Sequence, residues 1–246
     1  MHESGNTILI TGGATGIGKA LATRFLAAGN TVIVCGRDRE KLDEAKKGTP
    51  GLHVLYADVS NEAERVQLYE AVTREFPKTN VLINNAAVQR QARIDANEPW
   101  SETSRELETN LGAPLHLTQL FVKHLAKQRG PAVVLTTSGL AHVPRSAAPI
   151  YCATKAALHS YALSLRHQLA ALGVEVIEIC PPHVNTDLGG VGKNTAGMDL
   201  DTFADAVMVG LGRHDAEITY GFSTKVANAT PAERAEIFKQ MNSPGS

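Results

Sequence analysis

The strongest constraint on this chain is an alternation: short apolar runs of strand length take turns with longer stretches of helical period. TILIT at 7–11 and GKALATRFLAAG at 18–29 come first, followed by TVIVC at 31–35 and REKLDEAKK at 39–47. LHVLYA at 52–57, EAERVQLYEAVTREF at 62–76 and VLIN at 81–84 continue the series. A helix over about 102–128, AVVLTT at 132–137, a helix over about 150–172 and VEVIEIC at 174–180 complete it. Strand then helix, repeated, builds βαβ units and a parallel sheet. The runs are apolar on both faces, as a sheet covered by helices on both sides requires. A doubly wound α/β sheet is therefore expected. Gly29 and Gly173 stand just past helix ends, where a left-handed cap favours glycine. Thr230-Pro231-Ala232-Glu233 combines an N-cap, a first-turn proline and a capping-box glutamate, which predicts a last helix over 231–241.

With 246 residues, 43% of them hydrophobic, the chain can bury one sizeable core, so a single domain over 1–246 is expected. A net charge of -1 provides no footprint for nucleic acid, and no window approaches the ~18 apolar residues of a membrane span. The start, MHESGNTILITGG, has no basic region followed by a long apolar one, and a cytoplasmic location is expected. Cys35, Cys152 and Cys180 are odd in number and widely spaced, which fits reduced thiols. Among nine histidines there is no H-E-x-x-H and no pair four apart, so no catalytic metal is expected. The serine near 138 lacks the G-x-S-x-G elbow of a serine hydrolase.

Directly after the first run comes TGGATGIG at 11–18, with a helix beginning inside it. Gly12, Gly16 and Gly18 permit a tight turn and let main-chain N–H groups approach a ligand, while the helix start offers unpaired donors to an anion. A pyrophosphate is expected there, contacted by Gly12, Thr15, Gly16, Ile17 and Gly18. The spacing G-x-x-x-G-x-G differs from G-x-G-x-x-G, and by itself the stretch also fits a plain tight loop. The second strand then runs into Gly36-Arg37-Asp38-Arg39. An acid at this strand's end would accept from the ribose 2′-OH of NAD, whereas an arginine accommodates a 2′-phosphate. Gly36 has no side chain and Arg37 is a planar charged fork, which favours NADP(H) over NAD(H). Asp38 is the residue able to reverse that preference.

PIYCATKAAL at 149–158 seats Tyr151 and Lys155 one turn apart on one helix face. Alone, the pair also fits an ordinary amphipathic helix. A run of motifs in order gives it company: TGGATGIG, Asp58-Val59 after the third strand, NNAA at 84–87, Asn110 in ETNLGAP, Ser138 in TTSG, Tyr151 with Lys155, and PPHVNT at 181–186. Together they resemble the short-chain dehydrogenases/reductases in their compact single-domain form, over residues 7 to about 190. Some wording, such as SLRHQL and VEVIEICPPHVNTDL, is similar to a subgroup labelled as acting in D-alanine esterification of teichoic acids.

The resemblance implies a Rossmann-like sheet of about seven strands, ordered 3-2-1-4-5-6-7 and flanked by helices on both faces, with a nicotinamide cofactor. It implies contacts from Asp58 and Val59 to adenine, Asn85 and Ala86 beneath a ribose, Val184 and Thr186 at the carboxamide, and Tyr151 and Lys155 on the cofactor as well. It implies interconversion of a secondary alcohol and a ketone or aldehyde, with Asn110, Ser138, Tyr151 and Lys155 as the catalytic set. Ser138 would fix the substrate oxygen, and Asn110 would bind a water behind the lysine. The small-molecule substrate itself is not legible, and a non-catalytic nucleotide sensor or scaffold remains the other reading. Two departures stand out, NNAA in place of NNAG and Pro181-Pro182 in place of Pro-Gly.

The physical expectation for the pair is that the Lys155 charge lowers the Tyr151 phenol from its ordinary ~10, since a unit charge at ~4 Å with an effective dielectric of ~20 supplies ~4 kcal/mol. His142 and His183 stand in loops that would flank the substrate mouth, with plain loop surface the stronger expectation for each; Cys152 is expected to be sensitive to thiol reagents, and Asp187 to Asp199 to form a mobile lid. The two long helices resemble those of a four-helix subunit contact, implying a homodimer or homotetramer.

Overall fold

The computed structural model describes residues 1–190, 192 and 195–243. Seven parallel strands form one sheet: β1 (Thr7–Thr11), β2 (Thr31–Gly36), β3 (His53–Tyr56), β4 (Val81–Asn84), β5 (Ala132–Thr136), β6 (Glu175–Cys180) and β7 (Glu217–Thr219). Their spatial order is β3-β2-β1-β4-β5-β6-β7. The chain runs outward from β1 to β3 and then crosses back to place β4 on the other side of β1, so the order reverses between β1 and β4. Crossovers on the two sides of that point leave opposite faces of the sheet, and a crevice opens beyond the strand C-termini.

Alternation of side chains along each strand supplies two apolar cores. Ile8, Ile10, Val32, Val34 and Val134 face α1 (Gly16–Ala27), α2 (Arg39–Gly48) and, farther along the chain, α7 (Leu200–Gly212). Leu9, Ile33, Leu82, Val133 and Val176 face α3 (Glu62–Glu75), α5 (Ala113–Leu125) and α6 (Pro149–Ala170). The expected helix over 102–128 is α4 (Trp100–Leu107) running through a π-helical turn at Glu108–Gly112 into α5. Two short helices finish the chain, α8 (Phe222–Asn228) and α9 (Pro231–Met241), and the capping box of Thr230 and Glu233 starts the latter. Gly29 and Gly173 adopt φ of 81° and 66°, as left-handed caps must.

No helix among the described residues is long and apolar enough to cross a membrane.

Candidate active site

A cleft of about 830 Å³ runs along the C-terminal edge of the sheet and brings together nearly all the site residues expected from the sequence. At one end stands the glycine turn. Gly12 (φ 64°) packs so closely on the fourth-strand loop that a Cβ there would sit 2.8 Å from the Ala86 Cα, and a Cβ on Gly18 would meet the Gly12 carbonyl at 2.5 Å. Thr11 locks the two segments together, its hydroxyl accepting from the N–H groups of Asn85 and Ala86, both at 3.0 Å. Asn85 answers by donating to the Thr11 carbonyl at 3.0 Å. Thr11 was open to recognition from the sequence, because it begins the glycine motif; its cross-strand role was not.

The start of α1 fits an anion. Thr15 makes no side-chain cap, and the first turn carries no acid, whereas α2, α3 and α9 are all capped by side chains. Its N–H donors and partial positive charge face the cleft, which Thr15, Gly16 and Ile17 line. Arg37, also on the wall, is exposed, while Asp38 caps α2 by accepting from the Lys41 N–H at 3.1 Å. Arg39 lies over the Tyr56 ring at 4.1 Å. Asp58 and Val59 lie on the same wall. Burial acts most strongly on the Asp58 carboxyl and upward, but the Ser60 hydrogen bonds and the charges of Arg37 and Arg105 together hold it below its ordinary value. These residues fit a nicotinamide dinucleotide: an anion-binding turn, an arginine beyond it, and a long cleft leading to the reactive groups.

At the other end Ser138, Tyr151 and Lys155 line the cleft, each less than a tenth exposed. Ser138 opens a short 3-10 turn after β5, its hydroxyl accepting from the Leu140 N–H at 3.1 Å. Tyr151 and Lys155 lie on the first turns of α6, which begins at Pro149. The Lys155 ammonium donates to the Thr136 carbonyl at 2.7 Å and stands 5.5 Å from the Tyr151 ring centre.

This geometry corrects one expectation. Burial raises the Tyr151 phenol above its ordinary value and hydrogen bonding to Ser138 opposes it, so desolvation governs the phenol in the protein itself. The same burial lowers Lys155 to about 8. The group brought toward neutrality is therefore the amine.

Asn110 is fully buried in the π-helical turn: Oδ1 accepts from the Val88 N–H and Nδ2 donates to the Val88 carbonyl, both at 2.8 Å, and Nδ2 also donates to the Thr154 hydroxyl at 3.3 Å. The side chain thereby clamps the loop after β4 to the helix. π-helical turns inside helices recur at functional sites because they displace main-chain groups from their usual partners.

Val184 and Thr186 lie on the loop after β6, beside the cleft. Val184 bridges to Met198, so the ends of the expected lid are tied together. Residues 191, 193 and 194 of that segment, and 244–246 of the expected domain, lie outside the described residues. Ala87 lines the cleft, and Pro181 accepts from the Gly139 N–H at 2.9 Å, joining the fifth and sixth turns.

Of the two loop histidines, His183 reaches the cleft and His142 does not; the latter turns inward against His159, ring centres 4.7 Å apart. Cys152 is buried, and that burial pushes its thiol up, the opposite of what a reactive cysteine needs. Sequence reasoning missed Gln89, Arg145, Phe222 and Met241, which also line the cleft. Phe222 and Met241 come from α8 and α9, and no local motif marks them.

Comparison with known proteins agrees with this arrangement. Residues 6–195 match the family model of the short chain dehydrogenases. The chain is 43% identical to the oxidoreductase DltE of Bacillus subtilis across 98% of both proteins. It is 32% identical to the 2,3-dihydro-2,3-dihydroxybenzoate dehydrogenase of Escherichia coli, over 76% of this chain and 73% of that one. A short-chain dehydrogenase from Burkholderia cenocepacia, solved in complex with NADP, superposes with a TM-score of 0.85 at 25% identity, covering 99% of this chain and 100% of the other. With its strand order, glycine turn and matched span, the chain belongs to the short-chain dehydrogenase family of oxidoreductases.

Proposed function

We propose that this protein is an NADP(H)-dependent oxidoreductase that interconverts an alcohol and a ketone or aldehyde, with Tyr151 as general acid/base. The observation that carries the reading is the single cleft joining the α1 turn and Arg37 at one end to Ser138, Tyr151 and Lys155 at the other. Gly12, Thr15, Gly16, Ile17 and Gly18 would hold the pyrophosphate, and Arg37 a 2′-phosphate, with Asp38 engaged in capping α2. Asp58, Val59, Asn85, Ala86, Val184 and Thr186 would line the rest of the cofactor's path.

Bound there, the nicotinamide supplies or accepts a hydride. The chain's own residues then handle the proton and the geometry. Ser138 holds the carbonyl oxygen near the Tyr151 hydroxyl, and the phenol donates its proton to the alkoxide that hydride addition leaves. Lys155, lowered to about 8, stabilises the resulting tyrosinate as an ammonium and exchanges its own proton near neutral pH. The amide of Asn110, by fixing Val88, keeps the loop after β4 in place against this pair.

The test is consumption of NADPH and NADH against a panel of carbonyl compounds, with Tyr151→Phe as control. Wild-type turnover with NADPH preferred, lost in the variant while cofactor still binds, supports the reading. Equal inertness of both proteins with cofactor bound to each supports a sensor or scaffold instead. The assembly we propose is a homodimer or homotetramer in the cytoplasm; a monomer in sedimentation would contradict the first part.

A further inference from the structure

Behind the Ser138 loop, out of the cleft, lies a second group of chemistry-bearing side chains from distant parts of the chain. His142 follows the 3-10 turn after β5, His159 is on α6, Glu178 on β6 and Glu217 on β7. We propose that His142, His159 and Glu217 form a divalent-cation site, suited to Zn²⁺, that staples the Ser138 loop to α6 and β7.

Their ligand atoms lie within 4.8 Å of one another. The His142 side chain is only 5% exposed, and its Nε2 has no hydrogen-bond partner among the described residues; nor does the buried Oε1 of Glu217, which faces it at 3.7 Å. That gap is too long for a normal hydrogen bond, so the two buried atoms face each other without being paired. Buried polar atoms are otherwise almost always paired. A tetrahedral ion with bonds of ~2.0–2.2 Å would draw these ligands to about 3.4 Å apart, a movement within reach of the side chains.

The surroundings suit a metal further. The His159 Nδ1 lies 3.0 Å from both carboxylate oxygens of Glu178, which is fully buried and also accepts the Thr137 hydroxyl at 2.7 Å. A carboxylate in that position fixes the ring proton on Nδ1 and leaves the Nε2 lone pair for a ligand, the carboxylate–histidine–metal arrangement. Arg166 stands 3.7 Å from Glu178, so two carboxylates face one guanidinium. The excess negative charge favours a cation. Two imidazoles and a carboxylate are a donor set that suits Zn²⁺ better than Mg²⁺ or Ca²⁺. Local spacing rules cannot find such a site, because its ligands are 17 residues or more apart in the chain, at 142, 159 and 217. The competing occupant is a proton on His142, which would make a plain ion pair with Glu217.

The experiment is titration of chelator-treated full-length protein with ZnCl₂ and, separately, CoCl₂. The expected result is one Zn²⁺ per chain, a melting temperature raised by Zn²⁺ but not by Mg²⁺, and an intense tetrahedral Co²⁺ absorption band. Glu217→Gln and His142→Gln are expected to weaken binding at least tenfold, while His167→Gln, an exposed site on α6, leaves it unchanged. Glu217 is partly exposed, so its variant keeps the test open if His142→Gln does not fold. Absence of the Co²⁺ band, or Zn²⁺ binding that Glu217→Gln leaves intact, overturns the proposal. Both results are independent of cofactor binding and turnover.

Discussion

The two ends of the same sheet treat their buried polar groups in opposite ways. At the N-terminal end of the strands, Asn6, Asn30 and Asn80 interlock. Asn30 Oδ1 accepts from both the backbone and side-chain N–H of Asn6, and Asn80 donates to Asn6 Oδ1 at 2.9 Å while accepting from the Thr7 N–H at 2.9 Å. Asn80 also donates to the Arg129 carbonyl, and Asn30 to the carbonyls of Phe25 and Glu3. Every amide in this set is matched. At the C-terminal end the Thr136 hydroxyl is buried with no partner among the described residues, the Tyr151 phenol is pushed up and the Lys155 amine is pushed down. One end ties strands and loops together, and the other moves the titrations of Tyr151 and Lys155 away from their values in water. Such a division is expected where stability and activity make different demands.

The sharpest way to break this contrast is Tyr151→Phe. We expect a loss of turnover of roughly 10³-fold or more with little change in melting temperature, since removing the proposed general acid withdraws a contribution of ~10²–10⁴-fold and the ring remains packed. A comparable fall in stability would show the phenol to be structural. Next is Arg37→Ala, expected to raise the KM for NADPH by roughly 10- to 100-fold, about 1.4–2.7 kcal/mol, and to leave that for NADH nearly unchanged. Equal effects on both cofactors would remove Arg37 from the phosphate.

At the other end, Asn80→Ala leaves the Thr7 N–H and Asn6 Oδ1 without that partner, and each unmet buried group costs ~1–3 kcal/mol. Chemical denaturation should show a loss of ~2–4 kcal/mol with kcat within about twofold of wild type, at this order of magnitude. A large change in kcat would mean the two ends are coupled.

The smallest expected effect has the opposite sign. Lys155→Met removes a buried cation and should stabilise the protein by ~1–3 kcal/mol at pH 7 while abolishing turnover. Because the folded value of about 8 lies below the ordinary 10.5, the unfolded chain binds that proton more tightly. The penalty is full below pH 8 and is relieved as pH rises from about 8 to 10.5, so the gap between variant and wild type should close across that window. The raised phenol acts only above its ordinary 10, where it makes stability fall with pH. A gap that does not change with pH would contradict the burial argument.

The contrast also explains what was legible in the sequence. Six strands and the long helices follow from period, because a sheet covered on both faces must be apolar throughout. The seventh strand, Glu217–Thr219, is three residues long and carries no periodic signal; its presence came only from family resemblance. The glycine turn and the Tyr151–Lys155 pair could be read because their chemistry depends on local spacing. Asn110 could be found but its task could not, since its partner Val88 is 22 residues away and the clamp exists only once α4 and α5 pack on the fourth-strand loop. His142 lies away from the cleft for a similar reason: it packs edge-on against His159, 17 residues along the chain. The expected lowering of the phenol rests on a pairwise Coulomb estimate, which leaves out the desolvation that acts on both buried groups.

The central claim is that burial in the C-terminal cleft, more than any pairwise attraction, sets the protonation of the reactive pair and brings the amine into the neutral range. Its most direct test is a pH titration of the Lys155 side-chain nitrogen by NMR, assigned with the Lys155→Met variant. A midpoint of about 8 is expected. A midpoint at the ordinary 10.5 or above would contradict it.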